Sequence, residues 1–199
     1  MRLRLTYRGA LKGNSRKKED VWALREAFHP QLKRFWEAHQ HLNSLKTHRL
    51  LGPEKGKDPE RLLLSEQFAE FYKVGHIHFV PLATREMHLA CEISVLLLVS
   101  PNSPHLLAKG DIDNRMKTML DGLRMPQQRS ELLSEHRNDQ SGEPHYVLME
   151  DDSQVSKLSV EYDTYLAAEQ SDIQNDVVNA IVGVQIQPKL VTMANNFFL

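Results

Sequence analysis

The stretch from His88 to Ser100 constrains the fold more than any other. Leu89, Cys91, Ile93, Val95, Leu97 and Val99 recur at every second position, the spacing that lines one face of a strand. Leu96 and Leu98 make its far end apolar on both faces. A strand apolar on both sides needs neighbours and cover on both, so it reads as a central strand of a sheet.

Other segments supply those neighbours. Leu3, Leu5 and Tyr7 alternate with Arg2, Arg4 and Thr6, which predicts a half-buried strand with a basic outer face. Gly9, Gly13 and Asn14 predict a loop. Val21, Leu24, Phe28, Leu32 and Phe35 recur at helical spacing, and Pro30 is expected to kink or split that helix near His29. Asp58-Pro59 reads as a helix start, Leu64, Phe68, Phe71 and Tyr72 as its apolar stripe, and Gly75 as its stop. His76 to Leu82 reads as a strand joined to the central one by Ala83-Thr84-Arg85-Glu86-Met87. Ile112, Met116, Met119, Leu120 and Leu123 predict a helix laid on the sheet. From Pro126 to Glu143 periodicity fades, and a mobile surface loop is expected. Short strands are predicted at Tyr146 to Met149, around Leu158, Val160 and Tyr162, and from Val178 to Gln187. The expected fold is one α+β domain over residues 1–199, with a mixed sheet of about four to six strands and helices packed on it.

With 199 residues the chain can bury one real core. The formal net charge is −1, so the molecule as a whole carries no polyanion signature. Its distribution is uneven. Arg2, Arg4, Arg8, Lys12, Arg16, Lys17 and Lys18 crowd the beginning without an acid, whereas Glu161, Asp163, Glu169, Asp172 and Asp176 lie together without a base. The basic beginning is a candidate polyanion-facing surface, weighed against an ordinary solvated terminus. Cys91 is the only cysteine, which leaves no intrachain disulfide and fits a reducing cytoplasm. No stretch reads as a signal peptide or membrane span, so a soluble cytoplasmic protein is expected.

The chemistry centres on Gly110-Asp111-Ile112-Asp113-Asn114-Arg115-Met116-Lys117 and on Glu150-Asp151-Asp152. Asp111 and Asp113 face one way only if the backbone between them is extended. Asp113 as an N-cap, with Asn114 as the first helical residue, meets that condition. Lys117 then lies one turn inside, within reach of a phosphate drawn to the helix N-terminus. Clustered carboxylates repel unless a hard cation relieves them, and Mg²⁺ favours oxygen ligands. The bland reading is a helix-capping pattern that chelates nothing. A calcium EF-hand loop is excluded: counted from Asp111, Met116 and Gly122 stand where Gly and Glu are required. His39 and His41 point to different sides of a helix, and His76 and His78 lack a third ligand nearby in sequence, so both pairs read as structural.

The run from Gly110 to Leu123, with Lys117 and Asp121 at their offsets, followed by Glu150-Asp151-Asp152-Ser153-Gln154-Val155, resembles the RusA-type Holliday-junction resolvases. The resemblance covers residues 88–163. It implies that Asp111, Asp113 and Asp152 bind Mg²⁺, with Mn²⁺ as a substitute, and that Lys117 is the essential lysine. It gives Asn114 and Asp151 supporting roles and Asp121 a structural one. It further implies a homodimer, bacterial or phage-encoded, that cuts symmetric strands of four-way DNA junctions to leave 5′-phosphate and 3′-hydroxyl ends. Arg8, Lys12, Arg16, Lys17 and Lys18 are the candidate DNA contacts. Two features depart from the family: the long insertion between the helix and the second acidic block, and an N-terminal loop only loosely echoed by Lys12-Gly13-Asn14-Ser15-Arg16. A module of the same fold that holds branched nucleic acid without cutting it is the alternative. The tail Ala194 to Leu199 reads either as a docking peptide for a partner or, as the favoured reading, as packing on its own domain or on a dimer mate.

Overall fold

In a computed structural model that describes residues 1–11, 17–44, 63–100, 112–134, 142–167, 177–193 and 195–198, the chain runs β1 (Arg2–Ala10), α1 (Lys18–Ala38), α2 (Gln40–Ser44), α3 (Leu64–Phe71), β2 (Lys73–Val74), β3 (Ile77–Ala83), β4 (Leu89–Val99), α4 (Ile112–Leu123), β5 (His145–Met149), β6 (Val155–Thr164) and β7 (Val177–Pro188). Single 3-10 turns lie at Arg129–Glu131, Asp152–Gln154 and Asn196–Phe198.

The alternating stretch is β4, and it is interior as its two-sided apolar end requires. The main sheet has the order β1-β7-β4-β6. β7 is antiparallel to both β1 and β4, while β6 runs parallel to β4. The registers define two ends. Arg2, Pro188, Leu89 and Val155 lie at one, called here the Leu89 end. Ala10, Val177, Val99 and Thr164 lie at the other, the Val99 end. The second sheet, β2-β3-β5, pairs β3 and β5 in parallel. The strands thus divide into two sheets, four in one and three in the other.

One face of the main sheet carries Leu5, Cys91, Ile93, Val95, Leu97, Val182, Val184 and Ile186, all buried. α1 packs on β1 and β5, and α4 packs on α1 and adds Met116, Met119 and Leu123 to the same core. α1 runs unbroken through Pro30; the expected split does not occur. Its buried stripe is Trp22, Leu24, Phe28, Leu32 and Trp36, while Val21 and Phe35 only flank it. Glu19 and Asp20 in its first turn complement the helix dipole.

Other expectations are corrected by local chemistry. The Asp58-Pro59 start lies outside the described residues. α3 stops at Phe71, not Gly75; Gly75, at φ +65°, serves the turn between β2 and β3, a conformation that favours glycine. Phe71 is half exposed, so the buried stripe of α3 is Leu64 and Phe68, continued by buried Tyr72 just past the helix. His76 sits in that turn rather than on a strand face with His78, and the His78 ring bonds the Ala69 carbonyl at 2.8 Å. The beginning of the polar stretch is not a loose loop. Leu132 is buried, the Glu131 carbonyl accepts from Trp22 Nε1 at 2.9 Å, and the Glu131 carboxylate pairs with Arg124 at 3.0 Å.

The tail packs on its own domain. Phe198 is buried, its carbonyl accepts from the Met1 amino group at 3.1 Å, and buried Asn195 donates to the carbonyls of Met87 and Leu190. No helix among the described residues is long and apolar enough to cross a membrane.

Candidate functional site

α4 positions the first half of the motif. Met116, Met119 and Leu123 are buried at helical spacing, so the face a quarter-turn away, with Asp113 and Lys117, is left to solvent. The helix begins at Ile112, and Asp113 lies in its first turn. Asp113 is therefore not the N-cap, and the extended geometry expected for it does not hold. Asp111 lies outside the described residues. Asp113 and Lys117 stand one turn apart on one side of the helix, where i and i+4 side chains meet. Asn114 contributes a carbonyl that accepts from Thr118 Oγ1 at 3.0 Å.

Both ends of α4 are tied down by arginines that sequence reasoning did not single out. At the first turn, buried Arg115 donates Nη1 to the Leu11 carbonyl at 2.7 Å. At the last turn, buried Arg25 donates to the carbonyls of Asp121 (2.7 Å) and Arg124 (3.1 Å). A cation there satisfies carbonyls that have no helical partner. Burial lowers the Arg25 pKa to about 10, and its guanidinium lies 4.6 Å from the Trp22 ring centre. Asp121 pairs with Arg124 at 2.7 Å. At Gly122 a Cβ would meet Leu24 Cβ at 2.6 Å, so glycine lets α1 and α4 touch.

The second half is a clasped turn. β5 delivers Glu150, whose N–H donates to the Ala83 carbonyl at 3.0 Å and whose carbonyl accepts from Gln127 Nε2 at 2.7 Å. The Arg85 N–H donates to Glu150 Oε2 at 3.0 Å, and its Nη2 pairs with Asp151 at 3.1 Å. Asp151 Oδ1 accepts the Ser153 N–H at 3.0 Å, and the Asp151 N–H donates to Gln154 Oε1 at 2.7 Å. This reciprocal cap explains the Asp-Asp-Ser-Gln order: Gln154 is buried to hold the turn, and Asp151 is occupied by it. Hydrogen bonding from Ser153 and the nearby Arg85 hold the Asp151 carboxyl below its usual range, while burial pushes Glu150 up. Asp152 is exposed.

The two halves do not meet within one chain. Arg115 reaches Leu11, just past β1, and faces Tyr162; both mark the Val99 end. Arg124 bridges to Met149, which pairs with Ala83, and the Leu89 N–H donates to the Thr84 carbonyl; these mark the Leu89 end. α4 therefore runs antiparallel to β4. Asp113 and Arg124 are roughly 17 Å apart along it at 1.5 Å per residue. β6 climbs about 23 Å from Val155 to Tyr162 at 3.3 Å per residue. Asp113 and Lys117 stand at one end of this span, Asp151 and Asp152 at the other. The expected Mg²⁺ shell is thus not assembled by the described carboxylates of one chain. Among the described residues no group of three His, Cys, Asp or Glu comes together to hold a metal. The reason is local: β5 pairs with β3, which delivers Glu150 beside Ala83 and the last turn of α4 rather than its first.

Of the candidate DNA contacts, Arg8, Lys17 and Lys18 are exposed, whereas Lys12 and Arg16 lie outside the described residues. Arg2, Arg4 and Arg8 line the outer face of β1 as their alternation predicts. Lys157 and Glu92 share this uncovered face of the main sheet, where Arg4, Ser94, Gly183 and Lys157 line a trough of about 450 Å³. No protein-family model, no curated protein and no solved structure matches the chain.

Proposed function

We propose that the chain is a metal-dependent endodeoxyribonuclease acting on branched DNA, in the manner of the RusA-type resolvases it resembles in sequence. The observation that carries this reading is the placement of Asp113 and Lys117, both exposed and one turn apart at the start of α4. A helix N-terminus favours a phosphate group, a carboxylate holds a hard cation, and an ammonium group stabilises the negative charge that grows on the phosphoryl oxygens as water attacks. In that hydrolysis a water oxygen bonds to phosphorus, the bond from phosphorus to the 3′ oxygen breaks, and a proton passes to that oxygen. The sequence resemblance names Asp111 and Asp152 as the other acids of the set, and the basic outer face of β1 offers phosphate contacts.

A second reading, a non-cutting holder of branched nucleic acid, is favoured by one observation: within a single chain Asp113 and Asp152 are far apart. Incubation of a four-way junction with the protein and Mg²⁺ separates the two. Cleavage that Asp113→Asn slows about 100-fold or more supports the nuclease, and tight junction binding without products supports the holder. Lys117→Ala should slow cutting with junction affinity nearly kept. Affinity should fall steeply with added salt as phosphate contacts release counterions; a flat profile removes the β1 surface from the account.

A further inference from the structure

One residue, His39, separates α1 from α2. Its backbone is extended, at φ −84° and ψ 109°. Its N–H donates to the Phe35 carbonyl of α1 at 3.0 Å, and its carbonyl accepts from the Asn43 N–H of α2 at 3.0 Å. The main chain of His39 is thus held from both helices. In a continuous helix residues two apart point to different sides, which is the expectation for His39 and His41. The extended break corrects it. The two rings lie with centres 5.9 Å apart and planes tilted by 49°.

Two imidazoles that share one metal ion have ring centres about 4.5–6.5 Å apart, because each ligating nitrogen stands about 2.0–2.1 Å from the metal. The spacing of His39 and His41 falls inside that window. His41 is exposed and His39 half-buried, so an ion can approach from solvent. Nδ1 of His39 is a buried ring nitrogen with no hydrogen-bond partner among the described residues, and a bound ion supplies what such an atom lacks. Burial, then the neighbouring His41 and the amino group of Met1, hold the His39 pKa below its ordinary 6.5. The ring is therefore neutral at neutral pH, the form that ligates metals.

We propose that His39 and His41 form a two-imidazole site for a borderline divalent transition ion of the Zn²⁺, Ni²⁺ or Cu²⁺ class. Imidazole suits these ions, whereas Mg²⁺ and Ca²⁺ go to oxygen, so the site stands apart from the acidic motif and from the nuclease reading. Among the described residues no third His, Cys, Asp or Glu completes the shell. The other coordination positions fall to water, which makes the site open and weaker than a closed set of four protein ligands. The His41 ring also faces Phe197, with centres 6.3 Å apart, and the Phe198 carbonyl accepts from the Met1 amino group. An ion on the two histidines ties the break between α1 and α2 together beside the packed tail. It binds a geometry that only the folded chain presents, and so it stabilises the fold.

Titration of the full chain with Zn²⁺, in excess Mg²⁺ to occupy hard-ion ligands, tests the pair by calorimetry. The wild type should bind Zn²⁺ and melt at a higher temperature in its presence. His39→Ala and His41→Ala should each weaken that binding about tenfold or more, since losing even a partner of a metal ligand costs that much. His76→Ala should leave it unchanged. Ni²⁺ added in small amounts should broaden the ring-proton resonances of His39 and His41 before those of the other histidines. No Zn²⁺ binding by the wild type, binding undiminished in either single variant, or broadening that begins at other histidines overturns the proposal. Should His39→Ala fail to fold, the exposed His41→Ala and the Ni²⁺ broadening decide it.

Discussion

The two edges of the main sheet are finished in different ways. At β1 the outward backbone groups of Thr6 are taken by one side chain: its N–H donates to Gln31 Oε1 at 2.9 Å, and its carbonyl accepts from Gln31 Nε2 at 2.8 Å. α1 carries Gln31 and also packs Phe28 on Tyr7, with ring centres 6.2 Å apart. At Thr6 the β1 edge is therefore closed by a helix side chain. β6 is the other edge of the sheet, and among the described residues no helix side chain takes its outward backbone groups in this way. A sealed edge contributes to the stability of one chain.

The contrast can be broken most forcefully on the sealed side. Phe28→Ala should cost about 3–5 kcal/mol, since it removes a buried ring between α1 and β1, and the loss should be the same in dilute and concentrated protein. Chemical denaturation at two concentrations measures it, and a loss that varies with concentration would place an intermolecular surface at β1. Gln31→Ala should cost about 1 kcal/mol, because the Thr6 groups it serves can turn to water. Faster hydrogen exchange at the Thr6 amide is the accompanying sign.

A smaller effect concerns how α1 clasps the second sheet. The Tyr146 N–H donates to His29 Nδ1 at 2.9 Å, and the His29 ring stacks on His145 with centres 4.3 Å apart. Burial holds the His29 pKa below its ordinary 6.5, with Glu26 and Glu143 opposing and Lys33 reinforcing the shift. The neutral ring is the one that accepts, so this contribution is complete above pH 6.5. It is lost as pH falls through the depressed folded value. Melting followed from neutral to mildly acid pH should show the decline, and His29→Gln should flatten it. An unchanged slope in that variant would remove His29 from the account.

The alternating and helical segments were legible because their patterns are local. Leu89 to Val99, Ile112 to Leu123 and Val178 to Gln187 each bury one face, and that face is written in every second or every third and fourth residue. The α+β class followed from them. What pattern reading could not supply was set by distant partners. Arg25 reads as an ordinary helix-surface cation until its carbonyl acceptors at Asp121 and Arg124 are brought to it. Gly75 suits a helix stop, but β2 and β3 needed it for their turn. Asp113 has the chemistry of a cap, yet the helix starts earlier.

For the candidate site, the identity of the polar residues was legible and their placement was not. Gln154 explains itself only once it is seen closing on the Asp151 N–H. The distance between Asp113 and Asp152 depends on where β5 pairs, which no spacing within either motif records.

Hydrogen exchange tests directly whether the two edges differ in kind. The Thr6 amide, held by Gln31, should exchange more slowly than the amides of β6 that point away from β4. Exchange on that side of β6 as slow as at Thr6, or faster exchange at Thr6, would contradict the account.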